Sequence, residues 1–168
     1  MPFDPQHSYR LVARHSELCI ERTREFGVLQ NTLPNPNNGN QLWTFRELEN
    51  ELYHISLCNS DWVLTHHGFF EGPISLSLYH HNPSASQLWK VITPKQYYGK
   101  QSPVFPNNCY LILTGLKVKD HRRKHHGESD SCLDVLRACS NRPGILCEYP
   151  VQPIEQIAGN QIFQIMEI

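Results

Sequence analysis

Histidine and cysteine supply most of the residues in this sequence that could do chemistry. There are ten histidines, among them the pairs His66–His67 and His80–His81 and the group His121, His125 and His126. Imidazoles from separate strands could hold a transition metal. Adjacent histidines on one strand point to opposite faces, so each pair offers a given site one ligand at most. His121 and His125 have the i, i+4 spacing of a helix face, but Gly127 and the charges around them oppose a stable helix. No metal site is expected. The six cysteines, at 19, 58, 109, 132, 139 and 147, include no C-x-x-C pair, so the usual zinc and redox spacings are missing. A chain of this length needs no disulfide to fold. Mostly buried thiols are expected, with Cys132 and Cys147 the pair to test first.

The run HRRKHH at 121–126 could contact phosphate or a sulfated glycan. Glu128 and Asp130 weaken its field, and a solvated loop is the expected reading. The formal net charge is −1, which argues against binding nucleic acid or a membrane surface through bulk charge. No apolar run approaches the roughly 18 residues of a membrane span. The sequence has no Gly-x-Ser-x-Gly, no phosphate-cradling glycine loop and no His-Glu-x-x-His. We therefore expect neither catalytic residues nor a cofactor.

What the sequence does repeat is a phrase. NQLWTF at 40–45, SQLWKV at 86–91 and NQIFQI at 160–165 each place an aromatic two residues after a glutamine. Aligned on them, the 168 residues divide into blocks of about 9–46, 47–93 and 94–168, read as one domain. Each block opens with an apolar strand: YRLVAR at 9–14, LYHISL at 52–57 and CYLILT at 109–114. LCIER, DWVLTH and SCLDVL follow as second strands, then GVLQN, PISLSLY and GILCEY as third strands. The repeated phrase supplies the fourth. Turn residues such as NPNNGN and HNPSAS separate them. Twelve short strands in three groups are the plan of an all-β, β-trefoil barrel with pseudo-threefold symmetry, whose closure removes exposed sheet edges. On this plan Trp43, Trp89 and Phe163 are core residues, one per block, and the glutamine amides pair with neighbouring backbone because a partly buried amide must be paired. RELENEL at 46–52 is the best helix candidate, and more a turn than a helix. Residues 115–130 read as an exposed loop inserted between two strands.

The three phrases, with SCLDV at 131–135, resemble the ricin B-type lectin family, the trefoils marked by a repeated Gln-x-Trp. The resemblance covers nearly the whole chain. It implies sugar sites in which a carboxylate accepts hydrogen bonds from two adjacent hydroxyls, an aromatic face covers the apolar side of the ring, and an Asn-Gln pair completes the polar set. Carried over by the motif, the third block matches best. Asp134 is its carboxylate and Asn160 and Gln161 its amide pair. The stacking position falls on or near Glu148, a departure because a carboxylate cannot stack, with the neighbouring Tyr149 as the available ring. The first block is a reduced version with Glu21, Asn31, Asn40 and Gln41. In the second block Leu64 falls where the acid should be, Ser77 at the stacking position and Ser86 in place of Asn, so no site is expected there.

The function implied is non-catalytic binding of glycans or glycoconjugates containing galactose or N-acetylgalactosamine. The partners expected are glycans, not nucleic acid, with no membrane insertion and a homodimer as one arrangement open to the chain. The alternative is a protein-binding trefoil, such as a protease inhibitor acting through exposed loops. Without a basic segment followed by an apolar one at the N-terminus, the expected compartment is the cytoplasm, or release without a classical signal.

Overall fold

The computed structural model describes residues 3–23, 29–49, 51–68, 73–79, 85–119, 128–135, 146–153 and 159–168. Its strands fall into three sets of four. They are β1 (Tyr9–Ala13), β2 (Cys19–Arg22), β3 (Leu29–Thr32) and β4 (Trp43–Glu47); β5 (Leu52–Leu57), β6 (Trp62–Thr65), β7 (Ser75–Leu78) and β8 (Trp89–Ile92); and β9 (Cys109–Lys119), β10 (Glu128–Val135), β11 (Leu146–Pro150) and β12 (Phe163–Glu167). Branched and aromatic residues, which suit a pleated, half-buried surface, recur in most of them. Each first strand pairs antiparallel with its own fourth strand and with the fourth strand of the preceding set: β1 with β4 and β12, β5 with β8 and β4, β9 with β12 and β8. These pairings close a ring. Second and third strands form hairpins β2–β3, β6–β7 and β10–β11. The fold is an all-β trefoil.

The repeated aromatics sit at the centre of this barrel. Trp43, Trp89 and Phe163 are each 0% exposed. Directly opposite them in the ladders stand Tyr9, Tyr53 and Tyr110, one tyrosine from each first strand. The indole nitrogens also tie the hairpins to the barrel: Trp43 Nε1 donates to the Ile20 carbonyl at 3.2 Å and Trp89 Nε1 to the Leu64 carbonyl at 3.0 Å. Phe163 fills its position without a donor. Phe3 closes the ring of tyrosines from outside. It stacks on Phe45 with centroids 4.4 Å apart and meets Tyr9, Tyr53 and Tyr110 edge-on at 5.4–5.6 Å.

The stretch 46–52, expected to be more a turn than a helix, holds a turn: Arg46 and Glu47 end β4, Glu51 lies in a turn, and Leu52 begins β5. Tyr53 and Ile55 belong to the core cluster, and that tertiary demand overrides the helix-favouring glutamates. The one α-helix among the described residues is instead α1, Pro94–Tyr98. Thr93 caps it in a full capping box with Gln96, and Pro94 occupies its first turn, a start signal readable in TPKQ. Residues 115–130 correct an expectation: they are not simply an inserted loop. Residues 115–119 prolong β9 and 128–130 lead β10, paired Glu128↔Lys119, Ser129↔Val118 and Asp130↔Lys117 before a bulge. The tip, with HRRKHH, lies outside the described residues.

A second apolar cluster lies outside the barrel against the third block. Ile92, Cys109, Leu111, Leu113, Cys132, Val151 and Ile162 form it, with Tyr97 and Tyr98 of α1 and Phe105 packed on it.

Candidate functional site

The hairpin registers define which residues correspond between lobes. Glu21 faces Gln30, Thr65 faces Ser75 and Asp134 faces Cys147. Two positions along, Thr32 faces Cys19, Ser77 faces Val63 and Tyr149 faces Cys132. The equivalent positions are therefore Glu21, Thr65 and Asp134 on the second strand, and Thr32, Ser77 and Tyr149 on the third. This corrects the second block by one residue. Thr65, not Leu64, stands at the acid position, because Leu64 is a core residue at 0% exposure. Aligning the apolar residue before each acid (Ile20, Leu64, Leu133) would have shown it. Asn31, Leu76 and Glu148 form a separate set, facing Ile20, Leu64 and Leu133. The side chains of Asn31 and Glu148 lie outside the described structure.

In the third lobe Asp134, Asn160 and Gln161 come together. Asn160 Nδ2 donates to Asp134 Oδ1 at 2.7 Å and Gln161 Nε2 to Asp134 Oδ2 at 2.6 Å. Asp134 is 3% exposed and Gln161 0%, so the carboxylate is enclosed and accepts from both amide donors. A 3-10 turn, Gly159–Gln161, presents both amides. Gly159 is required by close approach: a Cβ there would stand 2.8 Å from the His15 backbone nitrogen. Tyr149, half-buried, faces Cys132 on the neighbouring strand. Alternation along the strand puts Cys132, and hence Tyr149, on the Asp134 side of the sheet. Asn160 Oδ1 is a buried acceptor with no hydrogen-bond partner among the described residues.

Gln161 is locked end for end. Its Nε2 also donates to the Pro150 carbonyl at 3.0 Å, while its Oε1 accepts from the Gln152 backbone N–H at 2.9 Å. A backbone N–H can only donate and a carbonyl can only accept, so the amide orientation is settled. Its NH2 must face Asp134.

The first lobe repeats the plan. Gln41 Nε2 donates to Glu21 Oε2 at 2.9 Å, to Thr32 Oγ1 at 3.0 Å and to the Leu33 carbonyl at 2.7 Å, and the Asn35 N–H donates to Gln41 Oε1 at 2.8 Å. The Thr32 hydroxyl donates to Glu21 as well. Burial pushes the Glu21 carboxyl up, but hydrogen bonds from Thr32, Gln41 and Asn38 outweigh it and hold the group below its ordinary value. Glu21 is half-buried and Asn40 exposed. Asn40 is not at the carboxylate: its backbone N–H bonds the Asn38 side chain at 3.0 Å. In the second lobe Gln87 Nε2 donates to Ser77 Oγ at 2.9 Å and to the Leu78 carbonyl at 3.0 Å, and Thr65 Oγ1 lies 2.6 Å from Ser77 Oγ. The scaffold survives there with hydroxyls and no acid. The hydroxyls of Thr32 and Thr65 were missed in the sequence because single hydroxyls carry no motif.

The other candidate chemistry disperses. His66 is buried edge-on to Trp89 at 5.1 Å, and His67 is exposed beside Ser75 Oγ at 3.0 Å. His80, His81, His121, His125 and His126 lie outside the described residues, as does Cys139. Cys19, Cys58, Cys109, Cys132 and Cys147 are free thiols, all buried but Cys58. Cys132 and Cys147 lie on adjacent strands without bonding. Burial pushes the Cys132 thiol well above its ordinary value, with Asp134, Cys147 and Asp130 adding to it. Among the described residues no three His, Cys, Asp or Glu side chains converge as metal ligands. Among the described residues no helix is long and apolar enough to cross a membrane.

Similar solved structures agree with this architecture. A designed threefold-symmetric protein, ThreeFoil, superposes with a TM-score of 0.69 at 17% identity, covering 96% of this chain and 99% of that one. A ricin B-like lectin of Macrolepiota procera, solved with lactose, gives 0.66 at 11% identity over 98% of each chain. The likeness shows the β-trefoil fold. The BEL β-trefoil matches over all of this trefoil and 97% of its own length, with a TM-score of 0.67 at 17% identity. No protein-family model matches the chain, and no curated protein matches it in sequence.

Proposed function

We propose that this trefoil is a non-catalytic lectin whose principal site is the third-lobe cluster of Asp134, Asn160 and Gln161, with Tyr149 as its aromatic wall. The observation that carries the reading is the carboxylate held by two amides on the Tyr149 side of the sheet. A carboxylate accepts hydrogen bonds through both oxygens, and the proposal is that a ligand's hydroxyls reach it from the Tyr149 side. Asn160 Oδ1, without a partner among the described residues, is a third acceptor. The site therefore asks for a ligand that donates from adjacent hydroxyls, as a sugar does. Glycans containing galactose or N-acetylgalactosamine are the proposed class, in keeping with the lactose bound to the Macrolepiota lectin. The Glu21–Gln41 cluster is a second, weaker site. Single shallow sites of this kind gain effective affinity by acting together. Glycans are thus the proposed partners, with the cytoplasm or non-classical release as the proposed setting.

The test is a glycan array probed with the wild type and with Asp134→Ala, each checked for folding. Binding of galactose-type glycans by the wild type and not by a folded mutant supports the third-lobe site. A wild type that binds no glycan defeats the lectin reading.

One observation favours the protein-binding alternative. Val104 is 100% exposed between Pro103 and Pro106, on a loop whose base is tied by the Ser102 N–H to the Gly99 carbonyl at 3.2 Å and the Cys109 N–H to the Pro106 carbonyl at 3.0 Å. Val104→Asp would abolish capture of a protein target and leave glycan binding unchanged.

A further inference from the structure

We infer that Tyr98, on the helix between the second and third lobes, is a positioning residue for the third-lobe site, acting through the backbone of Gln152. The inference rests on the lectin reading for its functional consequence and on geometry alone for the positioning. Tyr98 Oη donates to the Gln152 carbonyl at 2.7 Å. The N–H of the same residue donates to Gln161 Oε1, the bond that keeps the Gln161 NH2 turned toward Asp134. Reversing that amide would set its oxygen against a buried carboxylate, so the carboxylate's solvation depends on where residue 152 sits. Burial pushes the Tyr98 phenol above its ordinary value, and the hydroxyl remains a donor.

The first lobe shows the same device built from other residues. Leu33 and Asn35 hold Gln41 as Pro150 and Gln152 hold Gln161. The Asn35 carbonyl, equivalent to that of Gln152, accepts from Arg10 Nη2 at 3.3 Å. In both lobes a donor from elsewhere in the fold holds the residue that orients the glutamine. In the third lobe that donor comes from α1, whose tyrosines also roof the apolar cluster containing Cys132, Val151 and Ile162. The helix and the site thus share one packed unit.

Tyr98→Phe removes the hydroxyl and keeps the ring in its cluster. In the ligand-free full chain, the side-chain amide proton pair of Gln161 should shift and exchange faster with water in this variant, read by ¹⁵N–¹H NMR, while the Gln41 pair stays in place. Arg10→Gln should do the reverse. In the unsubstituted protein the Gln152 backbone proton should exchange slowly. Lactose, as the binding probe, should be held up to about tenfold more weakly by Tyr98→Phe, the scale of one lost hydrogen bond. An unmoved Gln161 pair, Gln41 and Gln161 pairs that move together, or a fast-exchanging Gln152 proton would each overturn the positioning role. If the wild type holds no lactose or other glycan, the lectin reading fails, and the NMR outcome still decides the role of Tyr98.

Discussion

Replacing Asp134 by alanine should cost the protein much of its stability as well as its site. The side chain is 3% exposed and receives Asn160 Nδ2 and Gln161 Nε2. Its removal strands both donors away from water. Each stranded group costs about 1–3 kcal/mol, so a total loss of about 2–6 kcal/mol is expected. Domains have about 5–15 kcal/mol to lose. At this chain length the melting temperature should fall by about 5–20 °C. Asp134→Asn keeps the shape but turns an NH2 toward one of the two donors, and should lose about half as much. Urea unfolding of the three proteins, followed by tryptophan fluorescence, measures the series. A loss under about 1 kcal/mol for Asp134→Ala would refute the claim that the carboxylate is the hub of the network. The same numbers govern the glycan-array test: lost binding counts for the site only when the mutant is shown to be folded at the assay temperature.

Gly159→Ala should displace the turn that presents Asn160 and Gln161, since its Cβ would stand 2.8 Å from backbone of the His15 turn; a melting temperature and glycan affinity equal to wild type would contradict this. Glu21 has a folded-state value below its ordinary 4.5, so it stabilises the fold above that pH, and the contribution is lost as pH falls through the lowered value. The melting temperature of Glu21→Gln should therefore depend less on pH below about 4.5 than that of wild type, and parallel curves would be the contrary result. Native-state alkylation read by mass spectrometry should label Cys58 before Cys19, Cys109, Cys132 or Cys147, because the last four are buried and burial pushes the thiol of Cys19 up to about 11. Labelling of Cys132 ahead of Cys58 would show that the second apolar cluster opens readily.

The architecture was readable because it is written three times. A Gln-x-aromatic phrase before each fourth strand is a threefold statement about one core, and all three aromatics are fully enclosed. The strands were readable because apolar runs alternate with turn residues, and each run overlaps a strand whose ends differ from it by up to a few residues. RELENEL has helical composition, but its Glu47 and Leu52 pair across β4, β5 and β8, so pairing outweighs propensity and the expected turn forms. What failed was local. The capping box before α1 was plain in TPKQ yet hidden inside what looked like a lobe boundary. The one-residue slip at Thr65 arose because a lobe without an acid gives no landmark, and a slip of one exchanges the two faces of a strand. The bonds that orient Gln161 were beyond sequence reasoning, since they run through backbone atoms of Pro150 and Gln152 that any residue could supply at those points.

The three lobes also separate what the repeated glutamine does for the fold from what it does for a site. In every lobe its NH2 bonds a carbonyl at the end of the third strand, at Leu33, Leu78 or Pro150. In the first and third lobes its oxygen also takes a backbone N–H, from Asn35 or Gln152. These bonds fasten the loop leaving the hairpin to the start of the fourth strand, and the second lobe keeps the carbonyl bond with no carboxylate beside it. The fold is therefore reason enough for the glutamine to be there. On the proposed reading, a site is added only where a second-strand acid takes the remaining capacity of the same NH2, as Glu21 and Asp134 do. The acid then sits in a frame that the fold has already made rigid, so its oxygens are oriented before any ligand arrives, and ordering them costs little on binding. It follows that the informative residue of each lobe is the one on the second strand after Ile20, Leu64 or Leu133, and that the Gln-x-aromatic phrase reports the barrel alone.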